Sequence, residues 1–269
     1  MLRRRGLHLT AARRTLLESR AIALPLSYLI WGSYVLIVIA WVPIVAAYRL
    51  ATFRRDANRM RVGRVLRRAG ALAVAINPFW DFRVIREDAG RIDPRRAHLF
   101  VANHRSMADI FLLCLLPWEI KFLSKESVFR IPLLGWLMRT AGDVPLARGD
   151  KDSARAALEQ MRRRLTEGAS VIVFPEGTRS ADGSLAPFRE GAFRLALEVS
   201  ADVVPLAIRG TETALPKHSL VFAPTTATVT VLAPVETAGS SSADASGVAE
   251  RVRGDIARGL GLDGDAASG

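Results

Sequence analysis

The sequence predicts an α/β domain, a mostly parallel sheet flanked by helices, with a hydrophobic helical segment at its N-terminus. Short apolar runs alternate with amphipathic helical stretches from residue 98 onward. Ahead of them, residues 21–48 hold no Asp, Glu, Lys, Arg or His, an uncharged stretch of 28 residues. The chain of 269 residues is long enough for one such domain plus an anchor and too short for two large domains.

The N-terminal segment comes first in the chain. A helix needs ~20 apolar residues to cross a bilayer, and residues 21–48 exceed that. Half of the chain is apolar and its mean hydropathy is +0.18. The expectation is an anchor in the cytoplasmic membrane, with Tyr28, Trp31 and Trp41 near the headgroups and Pro43 bending the helix. A cleaved signal sequence fits worse, because the run is too long and lacks a small-residue cleavage site. Residues 1–68 carry 14 Lys/Arg against 2 Asp/Glu, whereas the remainder carries 24 of each, so the net charge of +12 brackets the apolar stretch. Basic residues so placed suit an anionic lipid surface, and they put the following domain on the cytoplasmic side. The absence of zinc-ligand spacing or of an aromatic-interleaved basic face argues against nucleic acid as a partner. A second uncharged stretch, 69–80, is too short to span and is expected to lie on the bilayer or re-enter it.

Strands are then expected at 98–102, 120–124, 169–174, 203–208 and 227–232, and helices at 107–116, 152–166 and 188–199. A Gly/Ser/Ala linker (238–247) leads to a closing helix at 248–260 and a loose tail. The chain therefore divides into anchoring helices (1–80), a catalytic domain (81–237) and a C-terminal segment (238–269).

Chemistry concentrates where strands end. His104 follows the first strand directly and Asp109 stands five residues on, within reach of one imidazole nitrogen through a short turn. Such a carboxylate fixes the tautomer and leaves the other nitrogen free to take a proton from a hydroxyl. The alternative is a helix-capping histidine beside a surface aspartate. The second cluster, Phe174-Pro175-Glu176-Gly177-Thr178-Arg179-Ser180, closes another buried strand. Pro175 and Gly177 make its loop tight, Arg179 is a planar cation suited to phosphate, and Glu176 positions either Arg179 or a substrate hydroxyl. An ordinary strand-to-loop turn with a solvent-facing ion pair is the bland alternative. Between them, Lys125 and Arg148 are separated cations near strand ends, which either clamp a phosphate or are solvated. The apolar strand 204–208 reads as structural, with a share in lining an acyl channel. No GxSxG elbow, Walker loop or metal-ligand spacing occurs. His8, His98 and His218 lack a nearby carboxylate and read as structural, as does Cys114 in its apolar run.

In this order NHRSMAD (103–109), GDVPLAR (142–148), FPEGTRS (174–180) and VPLAIRG (204–210) resemble the motifs of the glycerolipid acyltransferases, the 1-acyl-glycerol-3-phosphate type in particular. The resemblance covers about residues 80–235 and departs in the second block, where Pro145, Leu146 and Ala147 replace the commoner aromatic, aliphatic and acidic residues. It implies a glycerol-3-phosphate acyltransferase-like fold and transfer of an acyl group from acyl-CoA or acyl-acyl-carrier protein to a lysophospholipid, with no cofactor and no metal. His104 would act as base and Asp109 would orient it. Glu176, Gly177, Thr178 and Arg179 would bind glycerol phosphate, assisted by Arg148 and Lys125. Rival readings are transfer to another lysolipid, such as a lyso-ornithine lipid, and a non-catalytic membrane-tethered lipid-binding protein.

Overall fold

The computed structural model describes residues 11–177, 184–216, 219–239 and 241–262. Helix α1 (Ala11–Glu18) leads into the long α2 (Arg20–Thr52) and the amphipathic α3 (Met60–Ile76). Seven strands follow: β1 (Trp80–Arg86), β2 (Leu99–Ala102), β3 (Ile120–Lys125), β4 (Val144–Leu146), β5 (Ser170–Val173), β6 (Val203–Arg209) and β7 (Thr225–Val231). Interleaved are α4 (Asp109–Leu113), α5 (Glu126–Phe129), α6 (Leu134–Ala141), α7 (Lys151–Thr166) and α8 (Gly191–Glu198), and α9 (Ala245–Leu260) closes the chain's described part.

The strands form one sheet in the order β1-β7-β6-β2-β5-β3-β4. Every neighbouring pair is parallel except β6 with β7. The two strands absent from the sequence expectation are the two edges. β1 carries Asp81, Arg83 and Arg86 on an otherwise apolar run, which blurs the strand signal. β4 is three residues long with a proline in the middle, a residue that sheets tolerate at an edge.

Strand periodicity sorts the core into two faces. Leu99, Val101, Val171, Val173 and Val203 meet α7, α8 and α9 through Ala157, Met161, Phe193, Ala196, Val252 and Ile256. The alternate residues Phe100, Ala102, Ile172, Val204 and Leu206 point to the opposite face, against Leu112 and Leu113 of α4. Buried side chains of this size contribute roughly 1.5–3 kcal/mol each. α9 is therefore a layer of this core, and its start is set by a 3-10 turn at Ser242–Asp244 in which Ser241 and Asp244 cap one another.

α2 and α3 cover the α4 side. Ala23, Ser27, Ile30, Tyr34 and Val45 of α2 are buried, a stripe at helical spacing. Leu29, Val35, Leu36, Ile39, Ile44 and Leu50 on its other faces are exposed. The expectation for the aromatics needs correction at two positions. Trp31 stacks on Phe222 and its indole donates to the Leu220 carbonyl at 2.8 Å, while Trp41 donates to the Val65 carbonyl at 2.8 Å. Both face protein, because each indole N–H finds a backbone partner there; Tyr28 alone is exposed. The stretch 69–80 is also not a separate membrane segment. Its first half ends α3, where Ala69, Ala73 and Val74 are buried, and Trp80 begins β1.

α3 sits on a buried group of charges. Arg67 pairs with Asp143 and lies over the Phe122 ring, its guanidinium 4.2 Å from the centroid. Lys121, wholly buried, donates to Glu119 at 2.9 Å and to the Arg59 carbonyl at 2.7 Å. A Cβ at Gly63 would fall into the Glu119 carboxylate, so this glycine lets the helix approach. Burial pushes the Glu119 carboxyl up and the Lys121 amine down, each opposed by the other's charge. Asp143 also accepts the Phe122 N–H at 2.9 Å, which ties the loop before β4 to β3. Removing one partner of a buried pair leaves an uncompensated charge at a cost of about 3–5 kcal/mol. Asp143→Ala should accordingly lower unfolding stability by about that amount in chemical denaturation. A change below about 1 kcal/mol would mean that Arg67 reaches solvent without it.

Candidate active site

β2 and β5 are neighbours at the sheet's centre, with Val101 beside Val173, so the loops leaving their carboxyl ends emerge side by side. Asn103, the first residue past β2, prolongs the ladder with its side chain. Its Nδ2 donates to the Ile208 carbonyl at 2.9 Å, and its Oδ1 accepts the Ile208 N–H at 2.7 Å. Both polar ends of the amide are thus matched by β6, and the chain's exit direction from the sheet is held.

His104 follows. Its Nδ1 lies 2.7 Å from Asp109 Oδ2, and the Asp109 side chain is fully buried while the imidazole is 12% exposed. The same oxygen accepts the backbone N–H groups of Arg105 at 2.8 Å and Ser106 at 3.0 Å. With a carboxylate at Nδ1 the ring carries its proton there, and Nε2 presents a free lone pair. Residues 104–108, part of which was expected to be helical, are a loop, because Asp109 draws these N–H groups to its side chain. α4 begins only at Asp109, and the helix runs five residues rather than the ten expected.

The second motif supplies the rest of the histidine's setting. The Phe174 ring stacks on the imidazole with centroids 4.3 Å apart and 27° between planes. Glu176 Oε1 accepts the His104 backbone N–H at 2.9 Å, and its other oxygen accepts the Ala186 N–H at 3.4 Å. Only 7% of Glu176 is exposed, and burial raises its carboxyl against the pull of those donors. Glu176 therefore faces the His104 backbone. Sequence reasoning assigned no role to Asn103 or Phe174, and did not foresee the Glu176–His104 bond, since all three depend on strand order.

Beside Phe174 opens a cleft whose lining includes Lys125, Arg148, Asp150, Gly177 and Arg189. Lys125 ends β3 opposite Leu146 of β4, and Arg148 lies two residues beyond β4, so parallel pairing brings the two cations to one rim. Gly177 reaches the same cleft with a φ of +77°, a left-handed conformation that favours glycine. Thr178 and Arg179 lie outside the described residues, as do His8 and His218. His98 is buried, with Nε2 2.9 Å from the Asp93 carbonyl. Cys114 is half-buried at the end of α4, and desolvation pushes its thiol up to about 11, which leaves it protonated and unreactive at neutral pH. Among the described residues no group of three or more His, Cys, Asp or Glu side chains is placed to hold a metal.

A carboxylate-oriented imidazole with a free nitrogen beside a basic cleft can remove a proton from a hydroxyl next to an anionic group. Comparison with known proteins points the same way. Residues 83–209 match the Acyltransferase family model. A chloroplastic 1-acyl-sn-glycerol-3-phosphate acyltransferase of Brassica napus is 44% identical over 121 residues, which make up 45% of this chain and 35% of that protein. Another 1-acyl-sn-glycerol-3-phosphate acyltransferase, from Chlamydomonas reinhardtii, is 42% identical over 140 residues, 52% of this chain and 42% of the relative. The chain thus spans less than half the length of these two relatives. Among solved structures, the 1-acyl-sn-glycerophosphate acyltransferase PlsC of Thermotoga maritima superposes with a TM-score of 0.75 at 26% identity, covering 90% of this chain and 96% of that one. Both motifs lie inside the region, residues 83–209, that matches the Acyltransferase family model.

Proposed function

We propose that the chain transfers a fatty acyl group from acyl-CoA or acyl-acyl-carrier protein to the sn-2 hydroxyl of 1-acyl-sn-glycerol-3-phosphate, giving phosphatidic acid for phospholipid synthesis. The observation that carries this reading is the His104–Asp109 pair, 2.7 Å apart, with the imidazole stacked on Phe174, which lines a cleft together with Lys125, Arg148 and Arg189. His104 Nε2 takes the hydroxyl proton as the oxygen attacks the thioester carbonyl carbon. The tetrahedral oxyanion then collapses, the C–S bond breaks, and the departing thiolate takes the proton from the imidazolium. Asp109 stabilises that imidazolium without itself becoming protonated. The acceptor's phosphate lies in the cleft against Lys125, Arg148 and Gly177, and the motif assigns Thr178 and Arg179 to the same substrate group. Glu176 acts from behind, by holding the His104 backbone.

The acceptor and the product are bilayer lipids, and the N-terminal helices fit that setting. α2 is 33 residues long with a mean hydropathy of 2.2 in its most apolar window. Its inward stripe packs on protein from Ala23 to Val45, so only its outer faces are open to lipid. We infer that α2 lies along one leaflet of the cytoplasmic membrane with the sheet on the cytoplasmic side. Arg49 stands in its last turn and the arginines at 54, 55, 59, 61, 64, 67 and 68 follow it, of which Arg67 is buried in an ion pair with Asp143. The others suit an anionic surface.

Purified protein offered a panel of lysolipids and both donors should acylate 1-acyl-sn-glycerol-3-phosphate fastest; preference for a lysolipid without a phosphate monoester would reject the acceptor assignment. In the same assay His104→Ala should reduce turnover to background while leaving lipid binding, and unchanged turnover would remove the proposed base. Asp109→Asn should lower kcat by about 10²- to 10⁴-fold with near-normal far-UV circular dichroism. Leu29→Glu combined with Leu36→Glu should reduce partition into anionic vesicles at least ~10-fold, on the scale of apolar surface withdrawn from lipid; equal partition would show that these faces do not meet the membrane.

A further inference from the structure

The cleft holds one cation that the motif reading passes over. Arg189 precedes α8, nine residues past the end of the FPEGTRS motif, and its backbone N–H donates to the Pro175 carbonyl at 3.2 Å. This bond places its side chain over Gly177. A Cβ on Gly177 would lie 2.8 Å from Arg189 Cζ, 2.9 Å from Nη2 and 3.0 Å from Nε, so the guanidinium would have to shift to admit it. The guanidinium therefore packs against the bare Cα of Gly177, where any other residue would displace it. The left-handed backbone at position 177 favours glycine, and a side chain there would also push the flexible Arg189 arm aside.

Arg189 is exposed and lines the cleft together with Lys125 and Arg148. No carboxylate among the described residues is paired with its side chain. The acid in the cleft lining, Asp150, uses its carboxylate to cap α7 through the N–H groups of Asp152 at 2.9 Å and Ser153 at 3.1 Å. Phe174 lines the same cleft and carries the His104 ring on its face, so an anion held there is one aromatic ring away from the base. Three cations around one partly engaged acid, one of them a planar fork, make a site for a phosphate monoester.

We propose that Arg189 binds the phosphate of the acceptor, and that Gly177 serves this contact by leaving room for the guanidinium. The inference rests on the acyl-transfer reading and adds a specificity residue to it. A phosphate monoester also occurs in coenzyme A, so the test must separate acceptor from donor. With Arg189→Gln in the full chain, KM for lysophosphatidate should rise about 10- to 100-fold, the scale of a lost charge-assisted hydrogen bond. KM for acyl-CoA and kcat at saturating acceptor should stay within about threefold, and Arg189→Lys should restore part of the loss. A rise confined to acyl-CoA would assign the site to the donor and overturn the proposal, as would no change in either KM.

Gly177→Ala should raise the acceptor KM in the wild-type background but add little once Arg189 is Gln, because both changes remove the same contact. Additive effects would show that Gly177 acts only through its backbone. Titration of glycerol 3-phosphate into the intact protein, read by calorimetry, needs no turnover. Weaker binding in Arg189→Gln supports the site even if no lysolipid is acylated, in which case the acyl-transfer reading falls alone. Equal binding in wild type and variant removes Arg189 from the site whatever the turnover.

Discussion

One buried carboxylate oxygen organises the loop that carries His104. Asp109 Oδ2 meets the His104 ring and two backbone N–H groups within 3.0 Å, and the side chain has no access to water. A buried carboxylate is tolerable only when donors replace its hydration. Here the donors come from the loop that carries His104, so the interactions that offset the burial of Asp109 are the ones that shape the turn. The histidine is thereby set in orientation and tautomer before any substrate arrives, which is the preorganisation that proton transfer requires.

The remaining contacts to His104 come from elsewhere in the sheet. Phe174 and Glu176 leave β5, and the Ile208 peptide that holds Asn103 belongs to β6. His104 thus stands on three adjacent parallel strands, and a shift of one against another would be felt at the imidazole. The same arrangement gathers cations from β3, from the turn after β4 and from the approach to α8 into one cleft. On the opposite side of the β3–β4 edge, the Arg67–Asp143 pair fastens α3 to the domain. The apolar helices and the loops around His104 are therefore parts of one packed unit, which suits the proposed transfer to a bilayer lipid.

Much of this was legible in the residue order, and the failures have physical causes. The central strands and α7, α8 and α9 were readable because burial on both sheet faces, or on one helix face, leaves an unambiguous apolar period. β1 and β4 were not, since edge strands carry charges or proline that break the pattern. The tryptophans of α2 were placed at a membrane surface because an indole suits both a lipid headgroup and a backbone carbonyl, and composition does not distinguish the two. Lys121 and Lys125, four residues apart on β3, look alike in sequence. Lys121 is the buried partner of Glu119 and Lys125 stands in the cleft.

The sequence by itself determined the sheet class, the long apolar helix and the pairing of His104 with Asp109, because each is a local matter of periodicity, uninterrupted hydropathy or a five-residue reach. Only the tertiary structure decided which side of Glu176 is engaged, which tryptophans face inward, and that Arg189 and Gly177 share one wall with Lys125 and Arg148. Those contacts join residues from separate strands, and their existence depends on strand order and register, which no local pattern encodes.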